Sequence, residues 1–187
     1  MPGAFQAPAG TPIPKLTAPG RAFYDVYKSL QRENGCLVPP RKSLTLPASK
    51  PFAPYLSILE MREPYTAIVR LTGTANVNRT RLDNTGKNWF DMFPAETRAD
   101  IWGAFRLILD TPRGSLVFAH EEYQRAIAIE VLTFPFADNH GVPNYIVSTT
   151  TQLQLKDLTL RGDDAMRPSM PDAEYFIDIG AGSGPPV

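Results

Sequence analysis

The chain has 187 residues, 43% of them hydrophobic and 20% charged, an ordinary globular composition with length for one domain or two small ones. Nineteen Lys and Arg balance nineteen Asp and Glu, so no net field draws the chain toward phosphate backbones or anionic lipid, and nucleic acid is not an expected partner. One cysteine, Cys36, allows neither an internal disulfide nor a thiolate cluster for zinc, which makes the cytoplasm the expected location.

Residues 1–19 hold five prolines and a single charged side chain, Lys15. They lack both a helical period and the basic start and apolar stretch of a secretory signal, and read as a flexible tail. No apolar run approaches the roughly 20 residues a membrane-spanning helix needs. From Gly20 to Asn34 the spacing of Phe23, Tyr27 and Leu30, with polar residues between them, predicts an amphipathic helix ended by Asn34-Gly35. Prolines 39, 40, 47, 51 and 54 then forbid a long helix, leaving extended chain with room for one short turn.

Two β-rich runs, SILEMRE and YTAIVRLTG, flank Glu63-Pro64 and read as a hairpin. TANVNRTRL suits a short helix closed by the turn Asp83 to Gly86. Pro94 fits a first helical position, and Ile101, Trp102, Phe105, Ile108 and Leu109 make the apolar stripe of a helix that stops at Thr111-Pro112. Three further strands follow, SLVFAHEEY, RAIAIEVLTFPF and NYIVSTTTQLQL, divided at Tyr123-Gln124 and at residues 137–141. In the last of them Tyr145, Val147, Thr149, Thr151, Leu153 and Leu155 share one side, and Ile146, Ser148, Thr150, Gln152 and Gln154 the other, as a sheet with one drier face requires. The expected fold class is α+β: a five-stranded antiparallel sheet with helices inserted between strands two and three, packed on one face, and a preceding N-terminal amphipathic helix. The division is a tail over 1–19, the domain with its helix over 20–160, and an extension over 161–187 where Pro and Gly limit regular structure.

Residues able to carry chemistry are few. Asp178 to Gly184 looks like the glycine-rich nucleotide loop of S-adenosylmethionine-dependent methyltransferases, but such a loop opens a helix and none is expected after it, so the segment reads as a tail. His120-Glu121-Glu122 places potential ligands side by side, yet on a strand only Glu122 shares the face of His120, so neither a metal site nor a haem site is expected. Nucleophile elbows and Ser-His-Asp or Cys-His contexts are missing. Arg70, between Val69 and Leu71 in an apolar strand, needs a partner such as Glu60 or Glu130, or else anchors an anionic ligand. Trp89, Phe90, Trp102 and Phe105 are either core or the apolar wall of a small-molecule pocket.

The pieces FYDVYKSL with VPPRKSL, PYLSILEM, IVRLTGT and DNTGKNWFDMF, with FIDIGAG near the end, stand in the order β-β-helices-β-β-β. That order is the one of PAS domains, and on these pieces the chain resembles the PAS-like family of alphaproteobacteria of the PAS_5 type. The resemblance spans roughly residues 21–155, and Arg70 to Thr74 followed by Thr85-Gly86 is the most specific part. VPPR departs from the family's Pro-x-Arg-x-Asp. The resemblance implies a PAS fold and a sensory or regulatory role; it names no ligand, and no cofactor is identified. A flavin-adduct light sensor would need a cysteine in the helical insert, and Cys36 lies before the sheet.

The reading is therefore a cytoplasmic PAS-type regulator, not an enzyme, that binds a small ligand or a protein partner and signals by contact or dimerisation. Candidate ligand-binding residues are Arg70, Trp89, Phe90, Trp102, Phe105 and His120. The stripe Phe23, Tyr27 and Leu30 is the candidate surface of a homodimer. Alternatives are an enzyme using the same cavity, with Arg70 orienting an anion and His120 as base, or a ligand-free structural adaptor.

Overall fold

The computed structural model describes residues 5–6, 14–123, 125–153 and 171–181, the side chains of 5–6, 120–126 and 171–173 excepted. Helix α1 runs Ala18–Asn34, two residues earlier than its apolar stripe alone indicates. The start is set by Thr17, whose hydroxyl oxygen accepts from the Gly20 N–H at 3.2 Å, and by Pro19 in the first turn, where a missing N–H is harmless. Gly35, left-handed at φ 59°, ends it, and the Cys36 N–H returns to the Gln31 carbonyl. The proline-rich stretch that follows holds a 3-10 turn at Arg41–Ser43, the four-residue helix α2 (Leu46–Ser49) and a second 3-10 turn at Ala53–Tyr55.

Strands β2 (Leu56–Met61) and β3 (Ala67–Thr72) form the expected antiparallel hairpin. Its turn closes with the Thr66 N–H on the Glu63 carbonyl, Pro64 supplying the fixed φ and Tyr65 standing at φ 60°. The insert comprises α3 (Thr74–Thr80), a 3-10 turn at Trp89–Met92 and α4 (Ala95–Asp110) capped by Pro94. Then come β4 (Gly114–Tyr123), β5 (Arg125–Ala137), β6 (Pro143–Gln152) and β7 (Pro171–Ile177). A two-residue strand, β1 (Phe5–Gln6), pairs with β7 in parallel. The sheet order is β1-β7-β4-β5-β6-β2-β3, and every pairing other than β1 with β7 is antiparallel.

Two features differ from the sequence expectation. The five expected strands are present as β2 to β6, but among the described residues the sheet has seven. β7 forms within the extension where Pro and Gly are expected to limit regular structure, because β4 offers it an open edge from Gly114 to Ala119; β1 comes from the stretch that reads as a tail. Second, helices cover both faces of the sheet. One face packs α1 through Phe23, Tyr27 and Leu30 against Leu116, Leu132, Phe134, Phe136 and Val147. The other packs the insert through Phe90, Ile108 and Leu109 against Leu59, Val69 and Ile146. Alternation therefore separates two buried sides in β6: Val147, Thr149 and Thr151 are buried beside Ile146. Gln154 and Leu155, assigned to the same strand from sequence, lie outside the described residues.

The helical stripe consequently has a different role from the homodimer surface it suggested. Phe23 and Tyr27 are fully buried and Leu30 nearly so within the one chain. Tyr27 stacks on Phe134 at 4.2 Å between ring centroids, and Phe23 meets Phe52 at 5.2 Å and Phe134 at 5.4 Å. An aromatic stripe wedged against its own sheet has no surface left for a second copy.

Candidate functional site

Between the insert and the sheet lies a cavity of about 360 Å³. Its floor is the β-face that alternates away from α1: Leu59 and Ser57 on β2, Val69 on β3, Ser115, Val117 and Ala119 on β4, Ile129, Val131 and Thr133 on β5, Ser148 and Thr150 on β6. Its roof is helical, with Trp89 and Met92 from the 3-10 turn, Phe93 directly after it, and Ile101, Ala104, Phe105 and Ile108 from α4. Trp89 lies 4.3 Å from Phe93 and 5.2 Å from Phe105 between centroids, so the three rings form a continuous aromatic wall.

Polar groups are placed at particular points of this apolar shell. At the α3 end Asn76, 3% exposed, donates from its amide nitrogen to the Tyr55 carbonyl at 2.9 Å and to Ser57 Oγ at 3.1 Å. Its Oδ1 accepts at 3.2 Å from Arg79 Nη1, and Arg79 is itself a lining residue of the cavity. On the floor the hydroxyls of Thr133 and Ser148 hydrogen-bond to each other at 2.9 Å. At the far side Ser115 Oγ donates to Glu174 Oε1 at 2.9 Å, bringing a carboxylate from β7 to the cavity. A concave, mostly apolar space with a few fixed donors and acceptors is the form small-molecule sites take.

Of the residues singled out from sequence, Trp89 and Phe105 line the cavity. Phe90 is fully buried behind that wall, in edge contact with Trp89 and tilted on Trp102 at 5.8 Å, so Phe90 and Trp102 support the roof from the core. Arg70 is not among the lining residues. It is 44% exposed and ion-paired to Glu60, which also faces Arg62 at 3.5 Å. The reading of Arg70 as an anion anchor, for a ligand or a substrate, is thereby corrected: its neighbour Val69 faces the cavity, and strand alternation sends Arg70 the other way. Glu130, the other partner offered for it, is engaged at the start of α1.

His120 falls on β4 opposite Ala128, with its side chain outside the described part, as are those of Glu121 and Glu122. Among the described residues no three metal-ligating side chains converge. Cys36 is not a lining residue; its thiol lies 3.4 Å from the Val38 carbonyl in the turn after α1. The glycine-rich segment is described as far as Ala181: Gly180, at φ 111°, donates its N–H to Asp178 Oδ1 at 2.7 Å, and residues 182–187 lie outside. Sequence reasoning missed Ser57, Asn76, Arg79, Ser115 and Glu174, which come from four separated segments. The one available signal was the Ser148 and Thr150 side of β6.

The chain order of two strands, helical insert and three strands, laid out in space as β3-β2-β6-β5-β4 with the cavity under the insert, decides the architecture. The fold is PAS-like. No family model matches the chain, and no curated protein matches it. Among solved structures it is similar to the LOV protein of Rhodobacter sphaeroides, at 14% identity and a TM-score of 0.42 over 71% of this chain and 67% of that one. An RNA-binding light-oxygen-voltage receptor matches at 14% identity and a TM-score of 0.41, over 59% of this chain and 33% of that one. A sensory box sensor histidine kinase from Vibrio cholerae matches at 15% and 0.39, over 61% and 94%. These likenesses are distant, and the assignment rests on the strand order itself. Among the described residues no helix is long and apolar enough to cross a membrane.

Proposed function

We propose that the chain is a PAS-type sensory or regulatory protein, acting in the cytoplasm, whose cavity takes a small, largely apolar ligand. The observation that carries this reading is the cavity beneath the insert, with an aromatic wall, aliphatic floor, and a guanidinium and a carboxylate on different elements. The apolar shell supplies affinity, and Arg79, Asn76, Ser115 and Glu174 fix orientation. The signal leaves by contact with a protein partner or a second copy, through surfaces other than Phe23, Tyr27 and Leu30. The finer kinship, to the PAS_5 type of alphaproteobacteria, is supported by the Arg70 to Thr74 and Thr85-Gly86 motifs.

Native mass spectrometry of gently purified protein tests the reading. A bound small molecule is expected in the wild type and is expected to be lost in Ala104→Trp, which fills the roof. Folded wild type that carries no adduct from any preparation, and takes up none from a panel of small apolar compounds, points instead to a ligand-free adaptor.

A further inference from the structure

Strand β7 reaches both faces of the sheet. On the cavity side Glu174 lines the space and accepts from Ser115 Oγ of β4. Three residues later the period-two geometry of a strand has turned to the other face. There Ile177 and, just beyond the strand, Ile179 are each 2% exposed and belong to the core that packs α1. Gln31, in the last turns of α1, clamps the same segment: its amide nitrogen donates to the Ile179 carbonyl at 2.9 Å and to the Leu37 carbonyl at 2.7 Å. The clamp is imperfect, since Gln31 Oε1 is buried without a hydrogen-bond partner, and a side chain in that state gains an acceptor interaction with water when it lets go.

We propose that β7 is the output strand of the cavity, so that occupancy at Ser115 and Glu174 and the docking of residues 174–180 on α1 form one coupled equilibrium. The inference rests on the reading of the cavity as a ligand site. The ligand class it implies is a small apolar molecule carrying a hydroxyl or amine, which competes with Ser115 for the Glu174 carboxylate. The change then passes through Ile177, Ile179 and Gln31 to α1, on the face of the sheet that the ligand never touches. Coupling of this kind is reciprocal: a change at Gln31 must alter binding in the cavity.

Two measurements test it. In the first, hydrogen exchange is followed in Ser115→Ala and Glu174→Gln. The amides of 177–180 and of the last turn of α1 are expected to exchange about tenfold faster than in wild type. Acceleration confined to residues 114–117 and 174–176 in both variants overturns the proposal. In the second, anilinonaphthalene sulfonate is titrated into wild type and Gln31→Ala, a residue outside the cavity. A change of threefold or more in dye affinity, roughly what losing one modest hydrogen bond produces, is expected, and equal affinity overturns the coupling. If the dye binds no folded form, the ligand reading is what fails, and the exchange measurement still decides the coupling.

Discussion

Glu130 holds Thr17 with both carboxylate oxygens: Oε2 accepts from the Thr17 backbone N–H at 2.8 Å and Oε1 from the Thr17 hydroxyl at 2.6 Å. Thr17 in turn accepts from the Gly20 N–H, so a carboxylate that is 1% exposed stands behind the first turn of α1. A negative charge there complements the positive end of the helix dipole. Glu130→Ala leaves these donors without their acceptor and is expected to cost roughly 1–3 kcal/mol, with exchange rising first at residues 17–21. Urea unfolding and hydrogen exchange check both.

Position 20 gives a sign reversal. Gly→Ala inside a helix ordinarily gains about 0.5–1 kcal/mol, but a Cβ on Gly20 would lie 2.3 Å from Glu130 Oε1. Gly20→Ala is expected to destabilise the wild type and to stabilise Glu130→Ala. A double-mutant cycle measured by denaturant unfolding reads the reversal; the same sign in both backgrounds contradicts the contact.

Burial pushes the Tyr27 phenol far above its ordinary value of 10.0, with the Cys36 thiol adding to the effect. A raised pKa favours the protonated form in the folded state. The stability it brings is complete below about pH 10, the unfolded value, and is lost as pH rises beyond it. Tyr27→Phe keeps the ring on Phe134 and removes only a long 3.5 Å hydrogen bond to the Leu37 carbonyl. The variant is expected to match wild type near pH 7 and to unfold less readily above pH 10, measured by circular dichroism against pH.

The Asp138 carboxyl is held below its usual range, chiefly by the Val142 N–H and also by the N–H of His140, in the turn between β5 and β6. A lowered pKa contributes above the unfolded value and is lost as pH falls through the lower folded value. Asp138→Ala should therefore speed exchange in residues 138–142 at pH 7, with the difference from wild type shrinking as pH falls through the lowered value and the carboxylate is protonated.

Phe90 and Phe105 separate core from cavity wall. Phe90→Ala empties a fully buried ring site and is expected to cost about 3–5 kcal/mol. Phe105, half-buried at the cavity, should cost less while changing ligand or dye affinity more. Arg70→Ala breaks an exposed pair worth at most about 1 kcal/mol and leaves dye affinity unchanged; an altered affinity would return Arg70 to the site.

Elements with local signals were legible in the sequence. The Glu63-Pro64 turn, Pro94 before α4 and the stripe of α1 each depend on residues within one or two turns of chain. β7 was not legible, because Pro171 and the glycines after it advertise irregularity while its pairing partner, β4, is about sixty residues away. The stripe of α1 showed that Phe23, Tyr27 and Leu30 are buried, but burial carries no address, and a second copy and the chain's own sheet look alike. At the cavity the aromatic cluster gave Trp89 and Phe105. Asn76, Ser115 and Glu174 are ordinary polar residues made significant only by where the sheet brings them.

With Glu130 bracketing its first turn and the Ile179 carbonyl its last, α1 behaves as a beam pinned at each end. Lifting either end breaks a named bond, whereas rolling about the long axis would drive the Phe23 and Tyr27 rings through the Phe134 and Phe136 layer. Any displacement of the C-terminal end of α1 therefore bears on Ile179 and the residues around it through the Gln31 amide.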